Sequence, residues 1–224
     1  AGIDAYQNGT DLVYLHFEAP DECGHRGEPE NKVKAIEYID SRSLKMLLEY
    51  FENCGEDNIV IQKAASMSID FYDPDFRVTN LHGDWAREFQ IDKKEIPYGS
   101  MHYDSACGKS GHFQNPFIAI SRPDATEKFG DVYGISLVYS GNFDISVEKN
   151  AIDIVRIQAG INSFDFSWEL KSGDSFQTPE VIMVYSSKGF GEMSRCFHTI
   201  LRENLCRGKY KNEVRPIVIN NWEA

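Results

Sequence analysis

The chain has 224 residues, 42% hydrophobic and 26% charged, which is the balance of a folded globular protein with one large domain or two small ones. Its formal net charge of −12 repels phosphate backbones and anionic lipid, so no nucleic acid and no membrane surface is expected as a partner. No apolar run approaches the roughly 20 residues of a membrane helix, and AGIDAYQNGT at the N-terminus lacks the basic start and apolar run of a signal peptide, although a processed one could already have been removed.

The first element is a strand over Leu12–Phe17. Residues 20–34, PDECGHRGEPENKVK, carry both signs of charge, two Pro and two Gly, and read as a mobile surface loop. Ala35–Tyr50 fits either a helix or two strands broken at Asp40-Ser41, with a strand favoured over Leu44–Phe51. Asn53-Cys54-Gly55-Glu56-Asp57 is a turn. Asn58–Phe71 reads as one long strand, because Ile59, Ile61, Ala65, Met67, Ile69 and Phe71 recur with period two.

Phe76–His82 and Trp85–Ile91 read as paired strands around His82-Gly83-Asp84. Residues 92–116, with two Pro and three Gly, read as loop, and Phe117–Ser121 as a short strand. From Asp131 to Ser187 five apolar runs alternate with turn clusters: Val132–Tyr139, Phe143–Val147, Ile152–Ala159, Phe164–Leu170 and Val181–Tyr185. That rhythm indicates antiparallel strands. The aromatics, 12% of the chain, suit half-buried sheet faces and equally suit sugar binding.

After Tyr185 the period changes. Met193, Phe197, Ile200 and Leu201 make one face of a helix, with Gly208 as its stop. Ile217-Val218-Ile219 then reads as a buried strand with Asn220, Asn221, Trp222 and Glu223 at its tip. Helix, loop and aliphatic strand are how a βα-barrel or a doubly wound sheet begins, so the pattern suggests a fragment ending at the entrance of a second domain. The domain reading is 1–190 β-domain, 191–212 linker helix and 213–224 first strand of a barrel.

Candidate chemistry is sparse. Hydrolysis of a glycoside ordinarily takes two facing carboxyl groups. Asp73/Asp75 and Glu28/Glu30 each flank a proline in a loop and are poor candidates. Asp165, between two phenylalanines, reads as a structural acid ahead of a sugar ligand. Histidines 16, 25, 82, 102, 112 and 198 show no HxH or HExxH spacing, so no metal is expected. His82 and His112 fall near strand ends. Cysteines 23, 54, 107, 196 and 206 are odd in number and form no CxxC, which suggests reduced thiols in the cytoplasm. Asn8-Gly9-Thr10 is a chance glycosylation match, and Gly189-Phe190-Gly191 is too short for a nucleotide loop. No cofactor and no catalytic residue is assigned. Trp222, an indole beside amides and a carboxylate, is the one substrate-binding candidate, at the kind of strand tip where barrel enzymes build their sites.

Seven stretches in order, LHGDWARE, HFQNPFIAISRP, DVYGISLVYSGNF, INSFDFSWEL, SFQTPEVIMVYS, MSRCFH and RPIVINNWEA, together resemble the α-galactosidases of glycoside hydrolase family 36. The resemblance covers most of the chain from Asn58 onward. It implies an all-β, mainly antiparallel β-supersandwich of the galactose-mutarotase-like kind, with one C-terminal helix leading to a (β/α)8 barrel. It further implies retaining hydrolysis of terminal α-galactosides such as melibiose and raffinose, with both catalytic aspartates beyond Ala224 and Trp222 matching a position that lines the sugar site. The expected partners are a galactoside substrate in the full-length enzyme, the protein's own barrel, and a second copy in a homo-oligomer. Two departures stand out. The family's intersubunit N-terminal segment has no match in residues 1–43, and Ala106-Cys107 stand where the family commonly has two arginines. The alternatives are a free-standing carbohydrate-binding module and a mutarotase-like epimerase, the latter requiring a His and a Glu on one concave sheet.

Overall fold

The computed structural model describes residues 52–220. They divide between two units, 52–59 with Leu170–Gln177, and Val60–Glu169 with 178–220. The readings of Leu12–Phe17, the 20–34 loop and Leu44–Phe51 lie outside the described residues, as does Trp222.

The small unit turns on Asn53. Its buried side chain donates to Asp57 O (2.8 Å) and Leu170 O (2.9 Å) and accepts from Gly55 N–H (3.1 Å). Its backbone N–H donates to Asp174 O (2.9 Å) and its carbonyl accepts from Gly173 N–H (2.8 Å). An amide with two donors and an acceptor can close a turn this way, and the turn at Asn53–Asp57 forms as expected.

The strands are β1 Ile59–Ile61, β2 Ala65–Phe71, β3 Arg77–His82, β4 Gln90–Glu95, β5 Gly99–Ser105, β6 Gln114–Ser121, β7 Val132–Val138, β8 Phe143–Lys149, β9 Val155–Ile161, β10 Trp168–Leu170 and β11 Glu180–Ser186. One sheet has the order β11-β7-β6-β3-β4 and the other β2-β9-β8-β5, with every pairing antiparallel. β1 and β10 form a short ribbon.

The two larger sheets meet face to face. Val78, Ile118, Ile120, Ile135 and Leu137 come from one, and Phe143, Ile145, Val147, Val155 and Ile157 from the other, all buried in one core. Each such side chain contributes about 1.5–3 kcal/mol by leaving water. An aromatic corner closes one end: Phe71 stands edge-on to Phe76 (5.3 Å) and Tyr133 (5.1 Å). This is a β-sandwich, and the all-β reading holds.

Helix α1, Gly189–Ile200, covers the outer face of the five-stranded sheet. Met193 and Phe197 are buried there with Ala119, Val132 and Val184. The approach is close enough that a Cβ on Gly134 would lie 2.4 Å from Phe197 Cε2 and 2.5 Å from Met193 Sδ. The helix read from Met193, Phe197 and Ile200 is therefore correct, and it begins two residues before the expected 191. It passes into a π-turn over Leu201–Leu205, and Gly208 lies beyond it with φ 80°.

Several elements differ from expectation. The run Asn58–Phe71 is two strands, because residues 62–64 leave the sheet, β1 pairing with β10 and β2 with β9; within β2 a bulge between Ala65 and Met67 shifts the alternation. The expected Trp85–Ile91 strand begins only at Gln90, since Ala86 (φ 60°) and Phe89 (φ 56°) turn the chain left-handed. Residues 92–116 hold the rest of β4, all of β5 and the start of β6. In β5 only Met101 and Tyr103 face the core, too few to reveal a period.

Ile152 is in a turn before β9, its N–H and that of Ile154 each donating to Asn150 Oδ1 at 3.0 Å. Of Phe164–Leu170 only the last three residues are strand. Phe164 is 70% exposed, and Asp165 (φ 53°) is an exposed loop residue, not a buried acid. Residues 213–220 carry no regular structure. Ile217, Val218 and Ile219 are 85–93% exposed, and no described strand pairs with them, so the barrel-type strand is not formed here.

Candidate functional site

The outward face of the four-stranded sheet is wholly polar. Register places Asp70, Arg156, Glu148 and Ser100 in one row, and Ser68, Gln158, Ser146 and His102 in the next. Arg156 Nε and Nη2 donate to the two oxygens of Asp70 (2.7 and 2.8 Å), which holds that carboxyl below the usual range. Gln158 accepts from Lys63 Nζ (2.9 Å) and donates to Ser68 Oγ (3.3 Å). His102 Nδ1 lies 2.9 Å from Asp144 Oδ1. Such cross-strand bonds among exposed side chains are those of a solvated face. Period two made that wet face foreseeable, but the His102–Asp144 pair joins two strands that no local motif connects.

The loop between β5 and β6 forms a second polar region. Gly108 N–H donates to Asn142 Oδ1 (2.6 Å) and Ser110 N–H to Ser140 O (2.9 Å), tying the loop to the β7–β8 turn. Ser105 Oγ donates to Lys109 O (2.6 Å) and lies 3.2 Å from Cys107 Sγ. The Ser105 hydroxyl and the Lys109 backbone hold this exposed thiol below its ordinary range. At the base, buried Asn162 Nδ2 donates to Asp104 Oδ2 (3.1 Å), Ser105 O (3.2 Å) and Phe143 O (3.3 Å). The result is a cleft of about 100 Å³ lined by Asp104, Ser105, Lys109, His112, Phe113 and Gln114. The rings of His112 and Phe113 stack at 4.4 Å.

The cleft adjoins the tip of the β3–β4 hairpin, where Gly83 N–H donates to Phe113 O (3.4 Å). Trp85 is 85% exposed there and Phe89 66%. The tip is pinned by Asp84 Oδ1 accepting from Trp85 N–H (2.6 Å) and Glu88 Oε1 from Ala86 N–H (3.1 Å).

Other candidates resolve into structure. Asp73 accepts from Asp75 N–H (2.9 Å) and pairs with Arg122 (2.6 Å), which together lower its pKa, so Asp73 and Asp75 make a turn and not a facing pair. Glu28 and Glu30 lie outside the described residues. His82 ends β3 and His112 precedes β6, as expected. Gly189 and Gly191 crowd the 126–129 turn, Gly189 at φ 77°, where a Cβ would sit 2.1 Å from Thr126 O. Among the described residues no three His, Cys, Asp or Glu side chains are grouped to hold a metal ion, and Cys54, Cys107, Cys196 and Cys206 are unpaired.

Comparison with known proteins follows the same division of the chain. A profile described as Glycosyl hydrolase family 36 N-terminal domain matches residues 49–171, more than half the chain, and one described as Melibiase matches 175–224. A third, described as Metalloenzyme superfamily, matches residues 1–61. The chain is 45% identical over 172 residues to alpha-galactosidase 1 of Pediococcus pentosaceus, covering 77% of this chain and 24% of that protein. It is 46% identical over 174 residues to the alpha-galactosidase AgaA of Geobacillus stearothermophilus, 78% of this chain and 24% of that one.

The crystal structure of AgaA matches with a TM-score of 0.75 at 46% identity, over 77% of this chain and 24% of that chain, and AgaA variants have been solved with stachyose and with raffinose. The chain thus spans about a quarter of the length of these relatives. Its sandwich and helix match the fold of those hydrolases. On the match that covers residues 49–171, the chain belongs to the glycosyl hydrolase family 36 N-terminal domain family.

Proposed function

We propose that the chain is the N-terminal part of a retaining α-galactosidase that cleaves terminal α-galactosides such as melibiose and raffinose. The reading is carried by 45–46% identity to α-galactosidases along three-quarters of the chain, with the Melibiase match following directly. Retaining cleavage takes two carboxyl groups about 5–5.5 Å apart, one attacking the anomeric carbon and one protonating the leaving oxygen. Four acids among the described residues are committed otherwise: Asp70 to Arg156, Asp73 to Arg122, Asp144 to His102 and Glu192 to Lys188. The sandwich therefore acts as a scaffold that supports and shapes a site built on a barrel and takes part in contacts between copies. Residues 213–224 begin that barrel, and Trp222 stacks on the galactose ring. The 224 residues alone have no hydrolytic activity, and the protein works in the cytoplasm.

The assay is release of nitrophenol from nitrophenyl α-galactoside by the 224-residue chain and by a chain extended to the length of its relatives. The expected result is activity in the extended chain only, with Trp222→Ala raising KM. Hydrolysis by the short chain, or an extended chain inert on every α-galactoside, refutes the reading. Recovery of the protein from a non-cytoplasmic fraction refutes the location. The epimerase reading asks for a His and a Glu on one sheet, and the observation that favours it is that register places His102 and Glu148 in adjacent rows of the outward face, with Asp144 beside His102 Nδ1. Polarimetry of fresh α-galactose with the 224-residue chain tests it, and catalysed mutarotation lost in His102→Ala would replace the hydrolase reading.

A further inference from the structure

We propose that the β5–β6 cleft and its aromatic rim form a non-catalytic binding site for one ring of a neutral saccharide. Two separate observations meet there. The first is the cleft itself, whose lining mixes a carboxylate (Asp104), a hydroxyl (Ser105), an ammonium (Lys109), an imidazole (His112) and an amide (Gln114). The second is the exposed aromatic group beside it, Phe113 at 59% and Trp85 at 85% exposed, on backbones joined by the Gly83–Phe113 hydrogen bond. Pyranose rings present apolar C–H faces and a rim of hydroxyls, each both donor and acceptor. An aromatic platform beside mixed donors and acceptors matches both.

Charge selects the ligand class. The lining offers one full negative and one full positive group, so a neutral polyol meets both without an unpaired charge. An anion faces Asp104 and the chain's net charge of −12, and a cation faces Lys109. Size selects a single ring, because drug-sized ligands fill about 300–1,000 Å³ and this cleft offers about 100 Å³. The polar groups are also preset. Asp104 is held through Oδ2 by Asn162, and Gln114 Nε2 is held by Leu81 O (3.2 Å), which leaves Asp104 Oδ1 and Gln114 Oε1 as acceptors. His112 Nε2 is sheltered and has no partner among the described residues, and a hydroxyl at the cleft floor supplies one.

The test is a saturation-transfer NMR titration of the full 224-residue chain with galactose and raffinose, with glycerol as a small polyol that lacks a ring face. Saturable binding near the millimolar range is expected, weakened about tenfold or more by Phe113→Ala and by Trp85→Ala. Tyr72→Ala is the matched control, an equally exposed ring after β2 on the opposite edge of the sheet, and leaves binding unchanged. Lys109→Met provides a second route if loss of the Phe113 ring disturbs the circular dichroism. Absence of saturation by either sugar, equal competition by glycerol, or binding indifferent to the Phe113 and Lys109 changes overturns the site. None of these results bears on hydrolysis by the extended chain, so this inference and the hydrolase reading fail separately.

Discussion

Arg156 grips both oxygens of Asp70 across the β2–β9 pairing, from positions 86 residues apart in the chain. The pair sits on a sheet edge with side chains 54% and 26% exposed, so water screens it, and its net worth is about 0.5–1 kcal/mol. Its pH dependence has a definite sign. Asp70 is lowered in the folded state from 3.8, so its stabilisation is complete above that value and is lost as pH falls through the lower folded pKa. Urea midpoints measured from pH 6 down to pH 2 are expected to fall less steeply in Asp70→Asn than in the parent. Identical acid limbs in the two proteins would remove the pair from the stability argument.

Gly134 is where sheet and helix touch. Alanine there must push aside the Phe197 ring and the Met193 sulfur, both buried, at a cost of about 1–3 kcal/mol. Chemical denaturation should register that loss, and Gly134→Ala with Met193→Ala should lose less than the sum of the two single changes. Strict additivity would mean that the helix shifts as a rigid body instead.

Asn162 anchors the cleft from below with three donated bonds, and its Oδ1 accepts from Phe164 N–H (2.9 Å). Asn162→Ala leaves the carbonyls of Ser105 and Phe143 without this donor and is expected to destabilise by about 1–3 kcal/mol. Amide exchange should quicken over residues 104–110 more than in β6. Uniform quickening throughout the sandwich would argue against a local anchor.

Ala86 holds a left-handed backbone at φ 60° without being glycine. Left-handed geometry costs a residue with a Cβ about 1–2 kcal/mol, partly offset by the extra unfolded-state freedom of glycine. Ala86→Gly is therefore expected to be neutral or to stabilise by up to about 1 kcal/mol, read as a raised thermal midpoint. A lowered midpoint would mean that the alanine methyl makes a contact worth more than the strain.

What the sequence disclosed follows from how strongly each segment alternates. Val132, Ile135, Leu137, Phe143, Ile145 and Val147 lie in strands with a full apolar face, and β7 and β8 fall within a residue or two of where periodicity puts them. β5 escaped because Ser100, His102 and Asp104 fill its wet side and only Met101 and Tyr103 its dry one. The Trp85 loop was misread because tryptophan and phenylalanine favour strands, whereas here their backbone turns and their rings stand in solvent. Cleft and rim draw on β5, its following loop and a hairpin tip, an adjacency that exists only after the strands have paired. Trp222, singled out as an indole beside amides and a carboxylate, lies outside the described residues.

The strand order carries a consequence for synthesis. Among the described residues the one neighbour of β2 in the sheet is β9, so Met67, Ile69 and Phe71 meet that strand only once residue 161 has been made. At about 5–20 residues per second that interval lasts several seconds. The bulge after Ala65 and the charge on Asp70 are the features of β2 that discourage pairing with another nascent chain during that wait. β6 with β7 and β8 with β9 can zip as successive chain segments, whereas β2 waits for β9, so the slow closure in this sheet is that of the long loop the Asp70–Arg156 pair eventually fastens.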